Sequence, residues 1–199
     1  SAYDYFGFNY EKKKSGWWYR EWAPAAEKLT LVGEFDNWAA GLPMEMNSDG
    51  VWEVFIPDSL GLKHLSKIKI RIQGGGQVRD RIPAYIRYTL QDPDSHDFSG
   101  AIWSPQEDFK WTDESFAITE LKAPIIYESH IGMAQETEGV GTYREFADKI
   151  LPRIKANGYN CIQLMAIKEH PYYGSFGYHV ANFFAATSRF GTPDDLKYL

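Results

Sequence analysis

KIKIRIQGGG, residues 67–76, alternates a basic residue with isoleucine for three periods and then runs into three glycines. A period of two places every isoleucine on one face of a strand and every basic side chain on the other, so one face is buried and the other wet. The glycines supply the positive φ angles a tight hairpin needs, and residues 77–82 read as the returning strand. Outward from this hairpin, residues 17–22, 28–34 and 51–56 are short β-rich runs. Turn residues separate them: Ala23-Pro24, Asp36-Asn37 and Asp49-Gly50. Short strands with regularly spaced turns indicate a small antiparallel sandwich between Trp17 and about Ser104. Trp52 and the isoleucines of KIKIRI belong to its core.

Composition narrows the partners. The 199 residues carry a formal charge of −6, with 44% hydrophobic and 24% charged residues, ordinary values for a chain that buries a core. No basic patch stands out, which argues against nucleic acid or an anionic membrane. Lys12-Lys13-Lys14 neighbours Glu11 and reads as a solvated turn. Cys161 is the single cysteine, so no disulfide framework exists. Without a leader pattern or an apolar run of about 18 residues, the chain is expected to be soluble and cytoplasmic. Aromatic content is the outlier, at 16% with seven Trp and thirteen Tyr. Aromatics fill cores, and they also stack on the flat faces of neutral sugars. His64, His96, His130 and His170 are too scattered for a metal site, and no cysteine partners them.

Residues 105–123 are acidic, lack a period and are expected to link two regions. From Pro124 the period changes. Residues 125–129 suit a buried parallel strand. Thr142 with Glu145 makes a capping box, and Tyr143, Phe146, Ile150 and Ile154 then share one helix face. Pro152 should kink that helix or loosen its second half. Gly158 stands where a left-handed residue ends it. Residues 161–166 read as a second buried strand, and Thr192-Pro193-Asp194-Asp195 as the start of another helix. Strand, helix, strand, helix start is the opening of a parallel α/β fold.

WAPAAEKLTLVGEFDNW (residues 22–38) and GVWEVFIP (50–57) resemble the carbohydrate-binding module of glycogen and starch branching enzymes, within the α-amylase superfamily. YESHIGMA (127–134), TYREFADKILPRIKANGYNCIQLMAI (142–167) and GSFGYHVANFFAATSRFGTPDDLK (174–197) are similar to the start of that family's barrel. The resemblance implies an immunoglobulin-like sandwich at 1–104, a linker at 105–123 and the first βαβα part of a (β/α)8 barrel at 124–199. It also implies a parent enzyme, expected to be monomeric and to need no cofactor or metal. That enzyme would cleave α-1,4 bonds in glycogen, amylose or amylopectin and form α-1,6 branches by retaining double displacement. The family's catalytic carboxylates lie on later strands. No catalytic residue is therefore assigned to this chain, which is expected to bind glucan without turning it over. Glu128 and Glu169 sit where the family does not use carboxylates for this chemistry. A free-standing regulatory glucan-binding module and a debranching hydrolase are the alternatives, and the segment after Pro124 argues against the first.

The resemblance also implies glucan contacts at Trp22, Ala23 and Pro24, at the turn of Ser48, Asp49, Gly50 and Val51, and at Trp38. For Trp38 packing on the sandwich stays equally open. In YYGSFGYHVANFF (residues 172–184), Tyr178 matches a tyrosine that stacks on the sugar before the scissile bond, and Gly177 lets the backbone come close. His179 replaces an amide residue common there in branching enzymes. Phe183 and Phe184 are expected to pack. Residues 124–199 by themselves are expected to be mobile or to associate.

Overall fold

The computed structural model describes residues 1–121 and 123–199, so position 122 of the expected linker lies outside the described residues. Contacts divide the chain into two units, Ser1–Ser104 with Asn182–Ala185, and Pro105–Ala181 with Ala186–Leu199.

The first unit is built of strands β1 (Gly7–Glu11), β2 (Gly16–Trp22), β3 (Lys28–Gly33), β4 (Leu42–Pro43) and β5 (Glu45–Met46). They are followed by β6 (Val51–Pro57), β7 (Lys67–Gly74), β8 (Gln77–Arg81), β9 (Tyr88–Gln91) and β10 (Phe98–Ala101). One sheet has the order β1-β2-β6-β5; the other runs β4-β3-β7-β10-β9, with β8 on β7. Every pairing is antiparallel, and Leu31 lies across from Ile70. Alternation in β7 works as expected: Ile68 and Ile70 have no exposure, as have Leu29 and Leu31 of β3. Tyr19, Trp52 and Ile56 of the other sheet complete the same cluster. The hairpin turns through Gly75 and Gly76, whose φ angles are +56° and +73°. Outside, Arg71 and Asp80 pair across the hairpin.

The second unit contains one parallel pair, β11 (Ile126–His130) and β12 (Cys161–Met165), in register from Ile126 opposite Cys161 to His130 opposite Met165. A helical crossover joins them. Thr142 caps it, its hydroxyl accepting the Glu145 N–H at 3.1 Å while the Glu145 carboxylate accepts the Thr142 N–H at 3.2 Å. The helix is then interrupted by a π turn at Phe146–Ile150 before α geometry resumes at Leu151–Ala156. Pro152 has no N–H to give residue 148 and its ring crowds that carbonyl; the wider π turn absorbs both. Gly158, at φ +89°, ends the crossover. Tyr143, Phe146 and Ile154 pack with Ile131 and Phe190. Thr192 and Pro193 open the last helix, Pro193–Tyr198.

Two expectations need correction. Residues 125–129 are not a buried strand: Ile126 is 52% exposed and Tyr127, which points to the opposite face, is 37% exposed, so neither side is covered there. Nor is the expected βαβα start of a barrel shown: among the described residues β11 and β12 pair only with each other, and no further strand joins their sheet. Among the described residues no helix is long and apolar enough to cross a membrane.

Candidate functional site

Strand β2 ends at Trp22, and the chain turns at once through Ala23 and Pro24. The Ala23 carbonyl accepts the indole N–H of core Trp52 at 2.9 Å, and the Ala23 N–H donates to the Gly50 carbonyl at 3.2 Å. Those two bonds lock the turn to the loop before β6. That loop is folded by Asn47, whose side-chain oxygen accepts the N–H groups of Asp49 at 2.9 Å and Val51 at 3.1 Å. Gly50 has φ +76°, and a Cβ there would meet the Pro24 Cβ at 2.8 Å and the Trp22 indole nitrogen at 3.6 Å. Only glycine lets the loop lie this close.

Trp22, Ala23, Pro24, Ser48, Asp49 and Gly50 are therefore brought together. Trp22 is 61% exposed, a flat apolar face held by a rigid neighbour. Val51 differs from what the sequence implied. Its side chain is buried, its N–H goes to the Asn47 side chain, and its carbonyl accepts the Asn47 N–H at 2.9 Å. It supports the loop and has little left to offer a ligand.

Trp38 stands elsewhere. It follows β3, whereas Pro24 precedes it, so the length of a six-residue strand, about 20 Å, separates the two places. Asn37 and Trp38 have φ of +55° and +60°, a left-handed pair rarely tolerated by a bulky side chain. The indole is not part of the core cluster: Trp38 is 37% exposed. With Lys67, Lys69, Asp80, Asp92 and Ser99 it lines a hollow of about 250 Å³.

In the second unit Tyr178 is 78% exposed and His179 is exposed beside it. Gly177, at φ +85°, lies so close to Ala166 that any Cβ would collide with it. The tyrosine is thus presented on a backbone pressed against the end of β12. In the first unit, to which residues 182–185 belong, Phe183 corrects the sequence reading, being 63% exposed. Phe184 stacks on Tyr85 with ring centroids 4.4 Å apart.

The carboxylates behave differently from one another. Glu128 is exposed and accepts the Gln163 amide at 3.3 Å. Glu169 is buried and closed in: it accepts the His170 N–H at 3.1 Å, the Thr187 hydroxyl at 3.2 Å and the Ser188 N–H at 2.8 Å. Its work is to hold the chain around it. Glu21 was not found from sequence. It lies on the inward side of β2 and accepts the Tyr19 hydroxyl, and burial pushes its carboxyl above the usual range. Burial, reinforced by His170, pushes the His130 imidazole down. Among the described residues no three His, Cys, Asp or Glu side chains gather as metal ligands.

Residues 5–86 match the family described as carbohydrate-binding module 48 (isoamylase N-terminal domain). A 1,4-alpha-glucan-branching enzyme of Oryza sativa subsp. japonica is 50% identical over 91% of this chain and 23% of its own. That of Aspergillus oryzae is 46% identical over 100% of this chain and 30% of its own. The chain spans about a quarter of the length of the curated relatives it matches. The crystal structure of the Group B Streptococcus pullulanase SAP superposes with a TM-score of 0.73, at 19% identity, over 96% of this chain and 30% of that one. That likeness concerns the fold. The expectation of a cytoplasmic protein is overturned: relatives from Oryza sativa, Arabidopsis thaliana and Pisum sativum are named chloroplastic/amyloplastic.

Proposed function

Since the chain belongs to the family of 1,4-α-glucan-branching enzymes, we propose that it binds α-glucan, as the amino-terminal part of an enzyme of that activity. The whole enzyme cleaves an α-1,4 bond and passes the released segment to a 6-hydroxyl. It does so by double displacement, with one carboxylate as nucleophile and a second carboxyl as acid and then base. Residues 1–104 are assigned to the glucan-binding module, 105–123 to the linker and 124–199 to the opening of a (β/α)8 barrel. Supporting the last assignment is the parallel β11–β12 pair with its helical crossover. Tyr178 is assigned to sugar stacking in the completed enzyme, and Trp38 with its hollow to a second glucan contact.

Carrying this reading is one observation: Trp22 lies bare beside Pro24, with Gly50 packed behind them. A rigid apolar plate flanked by the exposed polar turn of Ser48 and Asp49 suits a pyranose, which has an apolar face and a hydroxyl rim. Trp22→Ala is expected to weaken maltoheptaose binding about fivefold, the scale of one aromatic contact near 1 kcal/mol. Because Trp22 is outside the core, its removal should leave thermal unfolding unchanged. Calorimetric titration that finds equal affinity in both proteins would exclude this face. The 199 residues alone should show no branching by iodine stain, since the carboxylates the family uses for this chemistry are expected on later strands.

A further inference from the structure

Strand β8 places Gln77, Arg79 and Arg81 on one side and Val78 and Asp80 on the other. On the second side Asp80 receives two hydrogen bonds from Arg71, at 2.9 and 3.1 Å. On the first, Arg79 lies across from Ile72 and Arg81 across from Ile70. Both guanidiniums thus share the face of the sheet that carries the core isoleucines. Yet β8 is exposed along its whole length, so the arginines stand beyond the rim of the core. They line a groove of about 420 Å³ together with Ala23, Pro24, Ala26 and Ile72.

Neither arginine holds a carboxylate. Arg79 donates to the Gln77 side chain, and Arg81 donates to the Asp80 backbone carbonyl at 3.2 Å. Among the described residues neither takes part in an ion pair. Glu27 of the facing turn is occupied by the Gly75 N–H at 3.1 Å. Inward charges also keep an edge strand from pairing with another chain. That duty needs charge alone; it does not call for two unpaired forks beside an apolar groove that begins at Pro24.

Pro24 belongs to both places. A glucan resting on Trp22 and Pro24 runs on into the groove and meets both guanidiniums, whose planar forks match the oxygens of a phosphate. We propose that this groove takes an α-glucan segment bearing a phosphate monoester, with Arg79 and Arg81 on the phosphate and the Trp22 platform on the neutral sugars. The proposal rests on glucan binding at Trp22.

The test compares a phosphate-bearing amylopectin with the same polymer after phosphatase treatment, by affinity electrophoresis at low salt. The wild-type chain should retain the phosphorylated polymer about fivefold more tightly, the scale of one or two exposed charge pairs. The advantage should vanish in R79Q/R81Q, and in about 1 M salt, where screening reaches about 3 Å. Retention of the dephosphorylated polymer should be the same in both proteins. Equal retention of the two polymers by wild type would overturn the proposal and leave glucan binding standing. Loss of both polymers would overturn glucan binding and the proposal with it. Displacement by inorganic phosphate or glucose 6-phosphate as readily as by the phosphorylated polymer would assign the groove to a free anion and also overturn the proposal. If R79Q/R81Q fails to fold, the wild-type comparison of the two polymers still decides.

Discussion

Ile70 and Ile126 occupy strands of similar apolar character, yet Ile70 has no exposure and Ile126 is half bare. In the β-rich unit two sheets face each other, so the inward side of β7 is covered by Tyr19, Trp52 and Ile56. In the α/β unit the packed cluster takes in Ile162 and Leu164 of β12 and no hydrophobic side chain of β11, so the start of β11 is left open. The comparison teaches that a strand's own hydrophobicity does not report its burial. The number of layers standing over it does.

Substitution at these two isoleucines should give the largest contrast. Ile70→Ala is expected to cost about 2–5 kcal/mol, since it leaves a cavity between packed sheets. Ile126→Ala should cost less than about 1 kcal/mol, as expected of a half-exposed position. Urea unfolding read by hydrogen exchange in each unit would measure both, and similar losses would break the comparison.

A smaller effect is expected at the cap of the crossover helix. Thr142→Ala removes an acceptor that holds the Glu145 N–H and should cost about 1 kcal/mol. Faster exchange should be confined to the α/β unit. Equal acceleration in β3 and β7 would show that the two units do not respond separately.

The smallest and most pH-dependent effect belongs to Glu21. Burial raises its carboxyl in the folded chain, so folding favours its protonated form. That contribution is complete below the ordinary glutamate range and is lost as pH rises through the raised folded value. Glu21→Gln keeps an acceptor for the Tyr19 hydroxyl and removes the titration. It should gain up to about 1 kcal/mol at neutral pH over wild type and show a flatter stability profile from acid to neutral. An unchanged slope would mean that Glu21 is hydrated in solution.

Much of this was readable along the chain. The alternation of KIKIRI, the Thr142–Glu145 box and the Thr192-Pro193 start are local signals, and each element formed where its pattern stood. β1, with the sequence GFNYE, escaped because its polar residues weaken the alternation, and its place is set by pairing with β2. The π turn was half legible: Pro152 announced a disturbance without saying that the helix would widen rather than bend. Phe183 misled because an aromatic residue in an apolar run reads as core wherever the fold later puts it.

The same division holds for the site. Residue types were legible: tryptophans and a proline at turns, a glycine before an exposed tyrosine, a net acidic chain with free aromatic faces. Their grouping was not. Ser48 to Gly50 join Trp22 and Pro24 because an antiparallel register brings Val51 opposite Trp22, which is a long-range fact. Register also sets Arg79 and Arg81 over the isoleucine face, and burial encloses the Val51 side chain. Sequence by itself determined the periods, the caps and the turns, because these arise from interactions between residues a few positions apart. Tertiary structure alone decided which turns meet and which faces are covered, because both depend on groups brought together by chain closure across dozens of residues.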